Sequence, residues 1–293
     1  MKKEQLYGFL FVIAAAVIYG FMPLMAKFIY AGGCTSESLV LYRGILSLPI
    51  VYFLMKKNKQ VKLNKKIVKD LFILTLIGVC GTQLLLFMSY DYISIGLATT
   101  LHFSYPIFVL LGCAIFFREK LSPLKILCVG LSTAGIVCFY TPGGNISTTG
   151  LLIAFVSGIT FAFYIVFLEK TALKDMPPFQ LCFHVSLFTG FIMLAYTIPT
   201  GTFTYDFEPK TWILMFFFSF LINGGATVFF QQGVKHIGSQ KSAILCTLEP
   251  LTSILLGIVV FNDILTFKAM IGIVLILIAV ILIALLDKPK NGS

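Results

Sequence analysis

Long apolar blocks alternate with short polar breaks along the chain. Each block runs about twenty residues, and the stretch from Ile271 to Leu286 is apolar throughout. About 20 apolar residues in an α-helix cross a hydrocarbon layer of roughly 30 Å, whereas isolated strands would leave backbone groups unpaired in lipid. The pattern predicts an all-α integral membrane fold with ten spans, at residues 6–28, 36–55, 70–90, 96–117, 124–140, 150–169, 178–198, 211–231, 241–261 and 267–286.

Composition agrees with a membrane protein. Charged residues make up 12% of the 293 residues, whereas a soluble domain carries about 25%. The formal net charge of +10 does not indicate nucleic-acid binding, because the basic residues fall in the breaks between spans, where membrane topology places them. The expected partners are the lipid bilayer and a small-molecule substrate, with no nucleic acid. A homodimer is also compatible with the sequence.

Residue types that hold metals or catalyse reactions are scattered. The seven Cys residues form no CxxC pair and the three His residues are dispersed. The sequence also has no GxxxxGK[ST] phosphate loop and no HExxH motif. We therefore predict no metal, no cofactor, no catalytic residue and no enzymatic activity, and we do not expect ATP to drive the protein directly.

Lys and Arg predict how the spans are oriented. If the N-terminus is cytoplasmic, that side holds eighteen of the 22 Lys and Arg residues, seven of them in the stretch 56–69. Cytoplasmic loops of membrane proteins carry an excess of Lys and Arg. The bias therefore predicts a multi-pass protein of the cell membrane with cytoplasmic N- and C-termini, which requires an even number of spans.

The two halves of the chain resemble each other. Residues 106–122 read PIFVLLGCAIFFREKLS and residues 250–266 read PLTSILLGIVVFNDILT, so Glu119 corresponds to Asp263. We predict two repeats of five spans, at residues 1–145 and 146–293. Since five is odd, the second repeat is inverted relative to the first, an arrangement that transporters use for alternating access around a central site.

Four features together resemble the EamA family of the drug/metabolite transporter superfamily. They are Tyr19-Gly20 in span 1, Lys27 eight residues later, Arg43 in span 2, and the motif Leu248-Glu249-Pro250. The resemblance covers nearly the whole chain, with two departures: the first repeat has Tyr105-Pro106 where the second has Glu249-Pro250, and Tyr19 stands where family members often have Trp. It implies a cavity between the halves and transport of amino acids or related metabolites, often as efflux.

Two charged residues inside the predicted spans are candidates for contact with a solute. Glu249 is the acidic residue placed well inside a span; it either contacts a substrate amine or couples transport to protons, or it is a structural partner of Lys241 or of a backbone amide. Arg43 either binds a carboxylate, or reaches the outer interface, or pairs with Glu37. For Arg43 the structural interpretation is favoured.

Polar and aromatic residues at helical spacing extend this set of candidates. His102 and Tyr105 share a face of span 4, as do Gln83, Phe87 and Tyr90 on span 3. Each residue alone is equally compatible with holding helices together. The complete set predicted to bind substrate is Tyr19, Gln83, Phe87, Tyr90, His102, Tyr105, Tyr164, Asn223, Gln231 and Glu249.

The favoured hypothesis is a secondary transporter that moves small zwitterionic or cationic metabolites by alternating access, as efflux. A nucleotide-sugar or other anionic-metabolite transporter of the same fold is the nearest alternative, and it should present several cavity cations, of which Arg43 and Lys27 are the candidates here. A membrane enzyme or a channel is the alternative of a different class.

Overall fold

The computed structural model describes residues 3–138, 147–261 and 266–286, and the regular structure in those ranges is helical. Five spans are single helices and five are built from successive helical segments. In order, the spans are Lys3–Tyr19 with Met22–Ala31; Ser36–Lys56; Lys65–Ile73, Leu74–Gly81 and Thr82–Ser89; Ile95–His102 with Tyr105–Phe117; Pro123–Cys138; Thr148–Lys170; Pro178–Thr200; Pro209–Ser219, Phe220–Thr227 and Val228–Ile237; Ser239–Cys246 with Glu249–Phe261; and Phe267–Leu286. A short 3₁₀ turn, Ala172–Asp175, follows span 6.

The predicted membrane fold is confirmed. Within the described ranges, nine helical segments are long and apolar enough to cross a membrane, and Pro123–Cys138 is a shorter apolar tenth. The largest boundary difference is span 8, which extends to Ile237 rather than 231, because its polar last turns continue the helix. The predicted boundary at 145/146 and the counterpart Asp263 lie outside the described residues.

Spans 4 and 9 are interrupted at matching positions. In each, a short helix ends and a new one starts with the residue before a proline, as Tyr105–Phe117 and Glu249–Phe261. Proline is favoured in the first turn of a helix because its missing N–H has no intrahelical partner to lose there. The Pro106 and Pro250 of the sequence repeat therefore mark two equivalent breaks.

Spans 3 and 8 share a second irregularity. Each contains an eight-residue π-helical segment at its centre, Leu74–Gly81 in span 3 and Phe220–Thr227 in span 8. A π-helical turn widens the backbone and occurs often at functional sites. Both segments contain glycine and face the middle of the bundle, where the cavity described below lies.

The packing interleaves the two halves of the sequence. Span 1 packs chiefly on spans 8 and 9, and span 6 packs chiefly on spans 3 and 4. We call these groups the 1-8-9 set and the 3-4-6 set. Small residues permit the close approach: a Cβ added to Gly158 of span 6 would lie 2.7 Å from the carbonyl oxygen of His102. Span 2 pairs with span 7, and span 5 with span 10.

Contacts between the connections define two ends of the bundle. At the N-terminal end, Val61 exchanges hydrogen bonds with Gln180, and Glu119 contacts Lys170. At the opposite end, Thr35 donates a hydrogen bond to the carbonyl oxygen of Thr202. Odd-numbered spans therefore run from the N-terminal end to the opposite end, and even-numbered spans return.

Candidate functional site

A cavity lies between the 1-8-9 set and the 3-4-6 set, closed on its sides by spans 2 and 7. Its empty volume is about 780 Å³, counting the part that is open to solvent. Both π-helical segments and the interrupted part of span 4 border it. The lining residues are Tyr19, Met22, Arg43, Gly78, Val79, Thr82, Gln83, Leu86, Phe87, His102, Phe161, Tyr164, Cys182, Val185, Ser186, Thr189, Asn223, Thr227 and Glu249.

Arg43 brings a positive charge to the cavity wall. It is 5% exposed, and its Nε donates a hydrogen bond of 2.8 Å to Asn223 Oδ1. Its Nη1 lies 3.9 Å from the sulfur of Met22. Among the described residues no carboxylate oxygen lies within 4.0 Å of the guanidinium. The predicted alternatives of reaching the interface or pairing with Glu37 are therefore wrong, because span 2 turns this side chain inward.

Asn223 fixes the position of Arg43 from the π-helical segment of span 8. While its Oδ1 accepts from Arg43 Nε, its Nδ2 donates to the Arg43 carbonyl oxygen at 2.7 Å. The same Nδ2 lies within hydrogen-bond reach of Ser47 Oγ and Ser186 Oγ, at 3.2 and 3.3 Å. One amide therefore holds both the backbone and the side chain of Arg43.

Glu249 brings a carboxyl group to the same cavity. It is the first residue of the second helix of span 9, where the partial positive charge of a helix N-terminus stabilises a carboxylate. Among the described residues no hydrogen-bond donor or cation contacts its carboxylate, so the suggested ion pair with Lys241 is not formed. Among the described residues, Glu249 and Arg43 line the same cavity without direct contact.

Aromatic rings form one wall of the cavity. The rings of Phe161 and Tyr164 lie 5.8 Å apart and nearly parallel, and Phe230 stacks behind both of them. Tyr19 approaches from the other set, and its hydroxyl lies 3.1 Å from Thr227 Oγ1. This wall provides an apolar surface close to the two charges, which suits a solute with an apolar body and a polar end.

Two further predicted residues contribute polar atoms to the lining. His102 Nδ1 lies 2.9 Å from Ser157 Oγ, whose hydroxyl already donates to the Ala154 carbonyl oxygen. The network therefore assigns the donor role to Nδ1 of His102. Gln83 Oε1 is buried without a hydrogen-bond partner among the described residues.

Three predicted residues lie outside the cavity lining. Tyr105 is fully buried, and its hydroxyl donates to the Ala243 carbonyl oxygen at 3.3 Å. Gln231 donates to Tyr164 from behind the aromatic wall at 3.4 Å. Tyr90 packs against Phe87 at the end of span 3, and its hydroxyl is buried without a hydrogen-bond partner among the described residues. These three support the wall rather than form its surface.

The remaining predicted residues, Tyr19, Gln83, Phe87, His102, Tyr164, Asn223 and Glu249, meet at one cavity. Several lining residues were not predicted, among them Thr82, Thr189 and Phe161. Both Thr residues are polar positions within apolar spans, and this signal could have identified them. Phe161 carries no such signal, because nothing in the sequence separates one of 30 Phe residues from another.

The sequence matches one family twice. The profile described as the EamA-like transporter family matches residues 6–141 and again residues 148–285. Two relatives are similar over nearly their whole length. The "Uncharacterized inner membrane transporter YicL" of Salmonella typhimurium is 25% identical over 289 residues, covering 95% of each chain. The "Uncharacterized transporter sll1319" of Synechocystis is 25% identical over 99% of this chain and 96% of its own.

A solved crystal structure has the same fold. It superimposes with a TM-score of 0.77, covering 94% of this chain and 95% of its own, at 16% sequence identity. At that identity the match shows the fold alone.

Proposed function

We propose that this chain, which belongs to the EamA-like transporter family and is a membrane transporter, is a secondary transporter of small zwitterionic or cationic metabolites such as amino acids. In this proposal the solute occupies the cavity between the 1-8-9 and 3-4-6 sets. The protein then reopens on the other side of the cell membrane by alternating access, in the direction of efflux.

One observation carries the proposal: Glu249 and Arg43 face the same cavity and neither has a partner of opposite charge in contact among the described residues. A charge within a membrane bundle costs at least about 2.5–3.5 kcal/mol on insertion scales. Such residues persist where function uses them, so a carboxylate without a cation supports binding of a solute ammonium group.

The distribution of contacts between the two sets supports alternating access. Gln240 of span 9 donates to Glu119, just after span 4, and Ser239 of span 9 donates to Glu169 of span 6. Both hydrogen bonds lie on the N-terminal side of the cavity. In this conformer the two sets are joined at the N-terminal end. Separating the sets there would admit solute to the cavity from that end.

The Lys and Arg bias supports a cytoplasmic N-terminal end, as in the proposed topology of two inverted repeats, 1–145 and 146–293. With that orientation the joined end faces the cytoplasm. Efflux then requires that the hydrogen bonds of Ser239 and Gln240 break for loading and form again before release.

The described lining argues against a nucleotide sugar as solute. A diphosphate needs several cations, and Arg43 is the single Lys or Arg among the residues that line the cavity. One carboxylate and one guanidinium fit a small solute of low net charge better.

The test is uptake into proteoliposomes. The purified protein is reconstituted and preloaded with unlabelled solute, and exchange is measured for the common L-amino acids, their amines and two nucleotide sugars. We expect saturable exchange of at least one amino acid or amine and none of the nucleotide sugars. Flux that stays linear in solute concentration would indicate a channel, and no exchange of any amino acid or amine would overturn the proposed substrate class.

A further inference from the structure

We propose that Arg43 binds a carboxylate group of the solute and that Asn223 is its positioning residue, so that the transported solute is a zwitterion rather than a simple amine. The inference rests on the proposed function and deepens it. It assigns to Arg43 a role in specificity instead of a purely structural one.

The hydrogen bonds of Arg43 leave one edge of the guanidinium open. The group has five N–H donors; Nε is occupied by Asn223, and Nη1 contacts only the weakly accepting sulfur of Met22. Among the described residues no protein oxygen accepts from Nη1 or Nη2. A carboxylate of the solute can therefore approach the Nη1/Nη2 edge and accept two parallel hydrogen bonds.

Asn223 holds the guanidinium of Arg43, a residue of the cavity lining, in place. The amide accepts from Nε at 2.8 Å and donates to the Arg43 carbonyl oxygen at 2.7 Å. It therefore fixes the guanidinium from a second span without neutralising its charge. An Asp at position 223 would also reach Nε but would pair with Arg43 as an ion, and the native amide leaves the charge available.

Charge balance in the cavity favours a zwitterion. Glu249 and Arg43 lie on the same cavity at more than 4.0 Å from each other. A solute that carries an ammonium and a carboxylate group can satisfy both at once, while its apolar part packs on Phe161 and Tyr164. An amine alone would neutralise Glu249 and leave the buried guanidinium without a counter-charge, which costs binding free energy.

The experiment compares matched ligands on the purified full-length protein. Binding of the common L-amino acids, their α-carboxamides and their decarboxylated amines is measured by thermal shift and equilibrium dialysis. We expect each amino acid that binds to do so at least about tenfold more tightly than its carboxamide, since charge-assisted hydrogen bonds are the ones lost.

Two variants then locate the effect. Arg43→Gln should reduce the ratio of amino-acid to carboxamide affinity to about one, while amine affinity is kept or rises because no guanidinium is left without a counter-charge. Asn223→Asp should reduce the ratio too, because an internal carboxylate competes for the guanidinium. Lys210→Gln, an exposed cation paired with Glu208, is the control and should leave the ratio unchanged.

The outcomes separate the inference from the proposed function. Wild-type protein that binds carboxamides or amines as tightly as amino acids overturns the role of Arg43 and leaves the transport proposal standing. Protein that binds none of the three ligand sets overturns both. If Arg43→Gln does not fold, the ratio of amino-acid to carboxamide affinity in the wild type and in Asn223→Asp still tests the proposal. The same ratio in the wild type and in folded Asn223→Asp contradicts it.

Discussion

Charged side chains contact partners of opposite charge at the N-terminal end of the bundle, but they stand apart in the central cavity. At the N-terminal end, Lys170 bridges the carboxylates of Glu119 and Glu169, and side chains of span 9 donate to both acids. At the cavity, Arg43 and Glu249 stand apart, with no carboxylate–cation contact among the described residues. The cluster at the end is partly exposed, whereas Arg43 is 5% exposed.

We propose that this difference separates structural charges from functional ones. The charges of the Glu119, Glu169 and Lys170 cluster are near water and need little compensation, yet each contacts a partner, and the contacts with span 9 join the two sets. Charges in the middle need compensation most, because the surroundings are apolar. Since they lack it from the protein, the missing partner is expected to be the solute.

Replacing Glu249 is expected to have the largest effect. Glu249→Gln keeps the size of the side chain and removes its charge, so affinity for an ammonium-bearing solute should fall by at least about tenfold, the range expected for a charged hydrogen bond. Binding of the amino acids is measured by equilibrium dialysis, and folding is checked by the melting temperature without ligand.

The matched control is Glu208→Gln. Glu208 is an exposed carboxylate that pairs with Lys210 at 3.1 Å outside the cavity. It should leave affinity unchanged. Equal losses in both variants would mean that overall charge, rather than the cavity carboxylate, attracts the solute.

Loosening the N-terminal end should have an intermediate effect. In Ser239→Ala with Gln240→Ala, two hydrogen bonds between the sets are lost. Cys113 is buried directly beneath them, with its sulfur 3.4 Å from Ser239 Oγ. If this end opens during transport, the variant should expose Cys113, and its labelling rate by a maleimide should rise about fivefold or more.

Labelling is read by mass spectrometry, so that each cysteine is followed separately. Cys34 is buried next to Thr35 at the opposite end of the bundle and serves as the internal reference. An unchanged rate at Cys113 would show that these hydrogen bonds do not control opening, and a uniform rise at every cysteine would indicate general unfolding instead.

Removing the cation of the end cluster should have the smallest effect. Lys170→Met leaves Glu119 and Glu169 with the hydrogen bonds from Gln240 and Ser239. Because these side chains are partly exposed, we expect a loss of about 1 kcal/mol or less in the free energy of unfolding. Chemical denaturation measures it, and solute affinity should not change. A loss of affinity as large as that of Glu249→Gln would erase the distinction between the two regions.

The fold was predictable because its signals are local or repeated. Span length follows from hydrophobic thickness, and the repeat at Pro106 and Pro250 marks two equivalent helix breaks in the structure. The interleaving of the halves was not predictable, because it depends on small residues such as Gly158 meeting a distant backbone.

The candidate site was predictable in part. Glu249 stood out as an acid within an apolar span, and it lies on the cavity as expected. The contact of Arg43 was not predictable, because its partner Asn223 lies 180 residues away on a π-helical segment that no sequence pattern indicated. Tyr105, at the position equivalent to Glu249, is turned away from the cavity by its bond to Ala243.

The most direct test of the central claim is solute counterflow in proteoliposomes that contain wild-type protein, Glu249→Gln or Glu208→Gln. Labelled L-amino acids are added outside vesicles preloaded with the same unlabelled compounds. We predict saturable accumulation of the labelled amino acid with the wild type and with Glu208→Gln, and loss of this accumulation with Glu249→Gln. Accumulation at the wild-type rate in Glu249→Gln would contradict the claim that the unpaired charges of the central cavity bind the transported solute.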